Sequence, residues 1–190
     1  RREDPHGAPR LARRIAGTGS LGLERYVILA NGNGGADGNY LLDLKRAPAS
    51  SLAPHLCRPQ PVWATQAQRI VAVQSRMQAV TTAFLHALGD GEPSYVLRAL
   101  LPSEDRVTLD RTRTSMADFG AVVRTMATVV ASAHLRSAGR NGSAIADALI
   151  EFGRHNIWRS ALLGIALGCA EQVGRDWASY CEAYDDGAFA

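Results

Sequence analysis

Hydrophobic and polar positions along the chain change their period three times. The segment Arg14-Ile15-Ala16 and the run Leu23 to Ala30, with Tyr26-Val27-Ile28-Leu29 at its centre, read as extended, and so does Tyr40-Leu41-Leu42-Asp43-Leu44-Lys45. Between the last two, Asn31 to Asn39 is almost entirely glycine, asparagine and aspartate, residues that tolerate positive φ, which predicts a turn. Pro48, Pro54, Pro59 and Pro61 then interrupt regular structure. From Thr65 to Val80 the period becomes helical: Ile70, Val73, Met77 and Val80 fall on one face and Gln66, Gln68, Gln74 and Gln78 on others. Gly89 to Pro93 marks a further turn, and Tyr95 to Leu101 reads as a strand closed by Pro102.

Downstream the pattern turns helical. Met116, Phe119, Val122, Val123, Met126, Val129 and Val130 predict a helix from about Met116 to Leu135, with so few charges that burial on more than one side is expected. A loop over Ser137 to Gly142 follows. Ser143 is then the expected N-cap of a helix over Ala144–Phe152, and Asn156 that of a long helix through about Tyr184. Alternating βαβ units are absent, which disfavours a parallel doubly wound sheet. The expected fold class is α+β: an antiparallel strand-rich N-terminal lobe with a glycine-loop hairpin, then a helical C-terminal part. The expected division is a polar arm over 1–13, a strand-rich lobe with one amphipathic helix over 14–110, and a helical lobe over 111–190.

Composition narrows the class. With 190 residues and 46% hydrophobic content, the chain can bury a core, so a disordered protein is not expected. The net charge is only +3, and the basic excess is concentrated at Arg1, Arg2, Arg10, Arg13 and Arg14, which read as a solvated arm rather than a nucleic-acid contact. Cys57, Cys169 and Cys181 form no C-x-x-C pair, and reduced, buried thiols are expected. The apolar run Ala161 to Ala170 is about half of the ~20 residues a bilayer helix needs, and no signal peptide opens the sequence. The expectation is a cytoplasmic protein with no membrane and no nucleic-acid partner. The start in a polar Arg/Pro-rich stretch, without Met, reads as a piece of a longer protein whose N-terminal portion would be a partner of this segment.

The candidate chemistry lies at Gly17-Thr18-Gly19-Ser20-Leu21-Gly22, a G-x-G-x-x-G pattern. In a dinucleotide fold such a loop opens a helix that holds the pyrophosphate, but the residues after Gly22 favour a strand. Strand, glycine loop, strand is the arrangement of protein kinases, where a lysine on the third strand pairs with the phosphates. Lys45 ends an apolar strand 23 residues beyond Gly22 and is placed to be that lysine. Gly17, Thr18, Gly19, Ser20, Gly22 and Lys45 are therefore the candidate ligand-binding residues, with ATP and magnesium the candidate cofactor. The bland alternative is a motif match by chance and a solvated lysine.

These residues also carry a family resemblance. Residues 14–26, Asn39-Tyr40-Leu41-Leu42-Asp43-Leu44-Lys45, Gln74-x-x-Met77-Gln78, Pro102 to Arg106, Leu135-Arg136-Ser137, Gly142 to Asp147 and Tyr184-Asp185-Asp186 resemble the C-terminal half of the bacterial family called domain of unknown function 2252. That family resembles the kinase-like superfamily, which implies a protein-kinase-like fold. Its members carry a further N-terminal portion with Gly-Asp-x-His and Asp-Phe-Asp stretches similar to kinase catalytic and metal-binding loops, and this chain has neither. The helix over Thr65–Val80 also lacks the glutamate that holds a kinase lysine.

Other residues invite bland readings. His134-Leu135-Arg136 has no aspartate at its third position and reads as a structural histidine. Glu104-Asp105 reads as a solvated pair. Trp158, Trp177, Tyr180 and Tyr184 read as core packing. Two functions stay open: the nucleotide-binding lobe of a phosphotransferase-like protein, inactive as a segment, or a non-catalytic nucleotide- or protein-binding module on the same scaffold.

Overall fold

Strands stand where the β-branched and aromatic runs lie, and one helix crosses between them. The computed structural model describes residues 10–17, 20–33, 38–102 and 115–189. The chain forms two compact units, Arg1–Ser143 and Ala144–Ala190.

In the first unit, β1 (Arg10–Arg13), β2 (Arg25–Ala30), β3 (Tyr40–Arg46), β4 (His86–Leu88) and β5 (Tyr95–Ala99) form one antiparallel sheet in the order β1-β2-β3-β5-β4. The fold is thus α+β, with antiparallel strands followed by helices. β1 falls within the stretch expected to be a polar arm: its Arg10 to Arg13 pair with Leu29 to Tyr26. The neighbouring strand, not the composition of β1 itself, makes it extended.

α1 (Gln66–Met77) connects β3 to β4. Its N-terminus is fixed by side chains. Thr65 Oγ1 accepts from the amide of Gln68 at 3.1 Å, Glu92 Oε1 from that of Gln66 at 3.3 Å, and Ser94 Oγ from that of Ala67 at 3.1 Å. Three of the four amides that a helix start leaves unpaired are thereby satisfied, two of them by the β4–β5 hairpin, and the Glu92 carboxylate also suits the positive end of the helix dipole. Ala67, Ala47, Leu85 and Val96 form the buried core, with Ile70, Val71 and Ala87 packed against it. The inward face of α1 therefore runs Ala67, Ile70, Val71, and the expected stripe is corrected: Val73 is 39% exposed, and Val80 lies beyond the helix and is 83% exposed.

α2 (Met116–Ser137) begins at the N-cap Ser115, whose hydroxyl accepts from the Asp118 amide at 3.1 Å. It packs along α1, yet no α2 residue is buried, contrary to the expectation from its apolar character. Its length and composition are sufficient to cross a membrane. In the second unit, α3 (Ala146–Arg154) and α4 (Ile157–Asp185) likewise contain no buried residue. Trp177, Tyr180 and Tyr184 are exposed, and their rings lie against one another rather than in a core: Trp177 and Tyr180 stack at 5.7 Å. Trp158 stacks on Phe152 at 5.4 Å and donates its indole N–H to the Phe152 carbonyl.

Neither expected cap of the second unit acts through its side chain. Ile145 occupies the N-cap of α3, while Ser143 Oγ accepts from the Arg140 amide, and Asn156 caps α4 without a side-chain hydrogen bond. The cysteines are free, but Cys57 and Cys169 are exposed and Cys181 is half-buried, so the expected burial does not hold.

Candidate functional site

The glycine stretch joins two antiparallel strands, β1 and β2, with no helix starting after Gly22. Two successive turns shape it: the Ser20 amide donates to the Gly17 carbonyl at 3.0 Å and the Leu23 amide to the Ser20 carbonyl at 3.1 Å. Gly17 and Gly22 have φ of +75° and +79°, a left-handed conformation that a side chain disfavours. A Cβ at Gly17 would meet nothing nearer than an Arg25 nitrogen at 4.0 Å, so dihedral angle rather than space calls for glycine there. Arg25 also donates to the Ala16 carbonyl at 3.2 Å, tying the start of the loop to β2.

Side chains on a strand alternate between faces, and register partners share one. Lys45 lies opposite Arg25 and Val96, and Asp43 opposite Val27 and Arg98. Asp43, Lys45, Arg25 and Arg98 therefore occupy the same face as Val96, which packs into the core under α1.

On that face Asp43 is fully buried and surrounded by guanidinium groups. Arg25 grips it with both prongs, Nε to Oδ1 at 2.6 Å and NH2 to Oδ2 at 2.8 Å, while Arg14 and Arg98 approach at 3.4 Å. Burial alone would raise the Asp43 carboxyl, but the hydrogen bonds and charges of Arg25 and Arg98 outweigh it and hold the carboxyl below its ordinary range. The same hydrogen bond raises the Arg25 guanidinium, so the pair is fully ionised at neutral pH.

Beside this cluster is a cleft of about 310 Å³. Leu23, Ile70 and Val96 supply its apolar wall, Lys45, Arg46 and Arg98 its charge, and Gln74 of α1 an amide. Among the described residues no carboxylate lines it. Lys45 is the single lysine of a chain whose other basic side chains are arginines. Three cations on an apolar wall suit an anionic group with a less polar remainder. Among the described residues no group of three or more His, Cys, Asp or Glu side chains could hold a metal ion.

A model of the family described as an uncharacterized protein conserved in bacteria (DUF2252) matches residues 9–183. The chain belongs to this family. No curated protein matches this DUF2252 chain, and no solved structure does.

Of the candidate residues in this DUF2252 chain, Lys45 lines the cleft together with Leu23, the neighbour of Gly22. Gly17, Ser20 and Gly22 shape the loop without lining the cleft, and Thr18 and Gly19 lie outside the described residues, as do Glu104 and Asp105. His134 is exposed, and its backbone carbonyl accepts from Ser137 Oγ. The position of Gln74 gives a physical sense to the glutamate missing from α1: the helix side chain that shares the cleft with Lys45 is a neutral amide. Sequence reasoning missed Arg14, Arg25, Asp43 and Arg98. The available signal was an aspartate between two leucines in the middle of an apolar strand, with an arginine in each strand paired to it.

Proposed function

We propose that the cleft beside β3 binds the phosphate end of a nucleotide such as ATP, with Lys45 and Arg98 as its anion-binding side chains and Leu23, next to the glycine turn, in its apolar wall. The observation that carries this reading is the company of Lys45: it shares a cleft with two arginines and an apolar wall and, among the described residues, with no carboxylate. Arg25 holds Asp43 with both prongs, whereas Arg98 reaches the same carboxylate only through longer contacts at 3.4 Å with its side chain 41% exposed, which leaves Arg98 hydrogen-bonding capacity to spare. Strand, glycine loop, strand, a lysine on the third strand and a helix alongside are the parts of a protein-kinase nucleotide lobe. On that likeness the chain is one lobe of a cytoplasmic phosphotransferase-like protein, and the groups that hold magnesium and accept a proton lie outside the cleft.

The second reading, nucleotide binding without chemistry, is favoured by Gln74. In a kinase, a helix carboxylate pairs with the lysine, and a neutral amide leaves Lys45 without that orienting charge. Calorimetric titration with ATP tests the shared claim. Lys45→Ala and Arg98→Ala are each expected to weaken binding by roughly tenfold to a hundredfold, the value of a hydrogen bond to a charged group. Unchanged affinity in both variants would remove the proposal. Phosphate transfer by any protein that contains this lobe would decide against the non-catalytic reading.

A further inference from the structure

The first unit has a second cleft, of about 400 Å³, on the other side of α1. Arg69, Val73 and Arg76 line it, whereas Ile70 and Gln74 line the cleft of Lys45, so the two clefts use different faces of one helix and share no lining residue. The segment carrying Arg58 and Trp63 forms a second wall, and the loop after α2, with Arg140 and Ser143, a third.

Its electrostatics differ from those of the Asp43 cluster. Arg58, Arg69, Arg76 and Arg140 all line the cleft, and among the described residues no carboxylate lines it and none of the four guanidinium groups forms an ion pair. Arg76 lies over the Trp63 ring, 5.5 Å from its centroid, which holds its position while leaving its N–H groups unpaired with any anion. Arg69 is held by Gln66 Oε1 at 2.7 Å and by the Pro48 carbonyl at 3.5 Å, both neutral acceptors. The third wall is a folded-back loop: Gly139, Asn141 and Gly142 have φ of 69°, 50° and 80°, and Arg140 and Ser143 bond each other through Ser143 Oγ and the two backbones.

Four like charges around one concavity, with no counter-charge among the described residues, repel one another and favour entry of an anion of two or more charges. The guanidinium fork matches phosphate oxygens two at a time, and a cavity of this size admits a small molecule. We infer that this cleft is a binding site for a small multiply charged phosphate compound, separate from the cleft of Lys45.

Trp63 supplies a readout that the cleft of Lys45 lacks. Inorganic pyrophosphate is titrated into the full 190-residue chain, and the fluorescence change that depends on Trp63 is taken as the difference between the parent and Trp63→Phe. A saturable change is expected. Arg140→Gln and Arg58→Gln, each with unaltered far-ultraviolet circular dichroism, should raise its midpoint about tenfold, and citrate should bind about tenfold more weakly than pyrophosphate. Absence of a saturable Trp63-dependent change would overturn the proposal, as would midpoints unmoved in both arginine variants or equal binding of citrate. Response to a single-stranded oligonucleotide without response to pyrophosphate would assign the surface to nucleic acid instead. ATP affinity at Lys45 is read separately by calorimetry, so either cleft can fail alone.

Discussion

Replacing Asp43 by Asn removes one negative charge and little else, because the two side chains are nearly the same size. Asp43 is fully buried and takes two short hydrogen bonds from Arg25, at 2.6 and 2.8 Å. The substituted carboxamide would keep one acceptor and turn an NH2 donor toward a guanidinium donor. Arg25 would be left as an unpaired charge with its side chain only 12% exposed. Arg14 and Arg98 contribute less, since their contacts are longer, at 3.4 Å, and their side chains are 21% and 41% exposed. Breaking such a buried pair on one side costs about 3–5 kcal/mol, a large part of the roughly 5–15 kcal/mol that stabilises a typical domain. Amide hydrogen exchange across β2 and β3 measures it locally, as exchange faster by about two decades or more at neutral pH.

The pH dependence carries its own sign. Because the folded carboxyl titrates below its ordinary value, its stabilisation is fully present above the unfolded value of about 3.9 and is lost as pH falls through the depressed folded value. The difference between Asp43→Asn and the parent should therefore shrink in strong acid, after correction for intrinsic exchange. A loss under about 1 kcal/mol at neutral pH, or a gap that does not close on acidification, would refute the reasoning.

Further outcomes follow from the geometry around the site. Gly22→Ala meets no atom within 4 Å but must hold φ near +79°, so it should cost about 1–2 kcal/mol and lower the Tm by a few degrees in a thermal scan. Ser94→Ala leaves the buried amide of Ala67 without its acceptor and should cost about 1–3 kcal/mol in urea unfolding. The Tyr95 hydroxyl donates to Glu24 at 2.6 Å, and that bond raises the phenol above its ordinary value. Glu24→Gln should bring its spectrophotometric titration back toward about 10, read as the difference from Tyr95→Phe.

The sheet was legible because strand signals are local: the run Tyr26 to Leu29 and the run Tyr40 to Lys45 announce β2 and β3 within a residue or two. β1 was not, because Arg10 to Arg13 are extended only through pairing with β2. The start of α1 was legible from Thr65, but its inward face was not. Helical spacing alone allowed a Val73 stripe, and the hairpin hydrogen bonds from Glu92 and Ser94 rotate Ala67, Ile70 and Val71 inward instead. Aromatic and apolar residues on α2 and α4 announced helices correctly and burial wrongly, since periodicity reports an apolar face without reporting what covers it. The place of Lys45 near the end of β3, where it lines a cleft, was legible from the apolar strand that precedes it. Asp43 and its arginines were not, because Arg25 and Arg98 reach it across neighbouring strands, a relation set by register.

The central claim is that Lys45 faces bound phosphate, and its being the single lysine allows a direct measurement. An acyl-phosphate derivative of ATP presents its mixed anhydride where the terminal phosphate lies. A lysine amine held there takes the acyl group, forming an amide and releasing ATP. Mass spectrometry of the treated chain should show one acylation at Lys45 that excess ATP suppresses and Arg98→Ala diminishes. Acylation of Lys45 at the same rate with and without ATP, or none at all, would contradict the account.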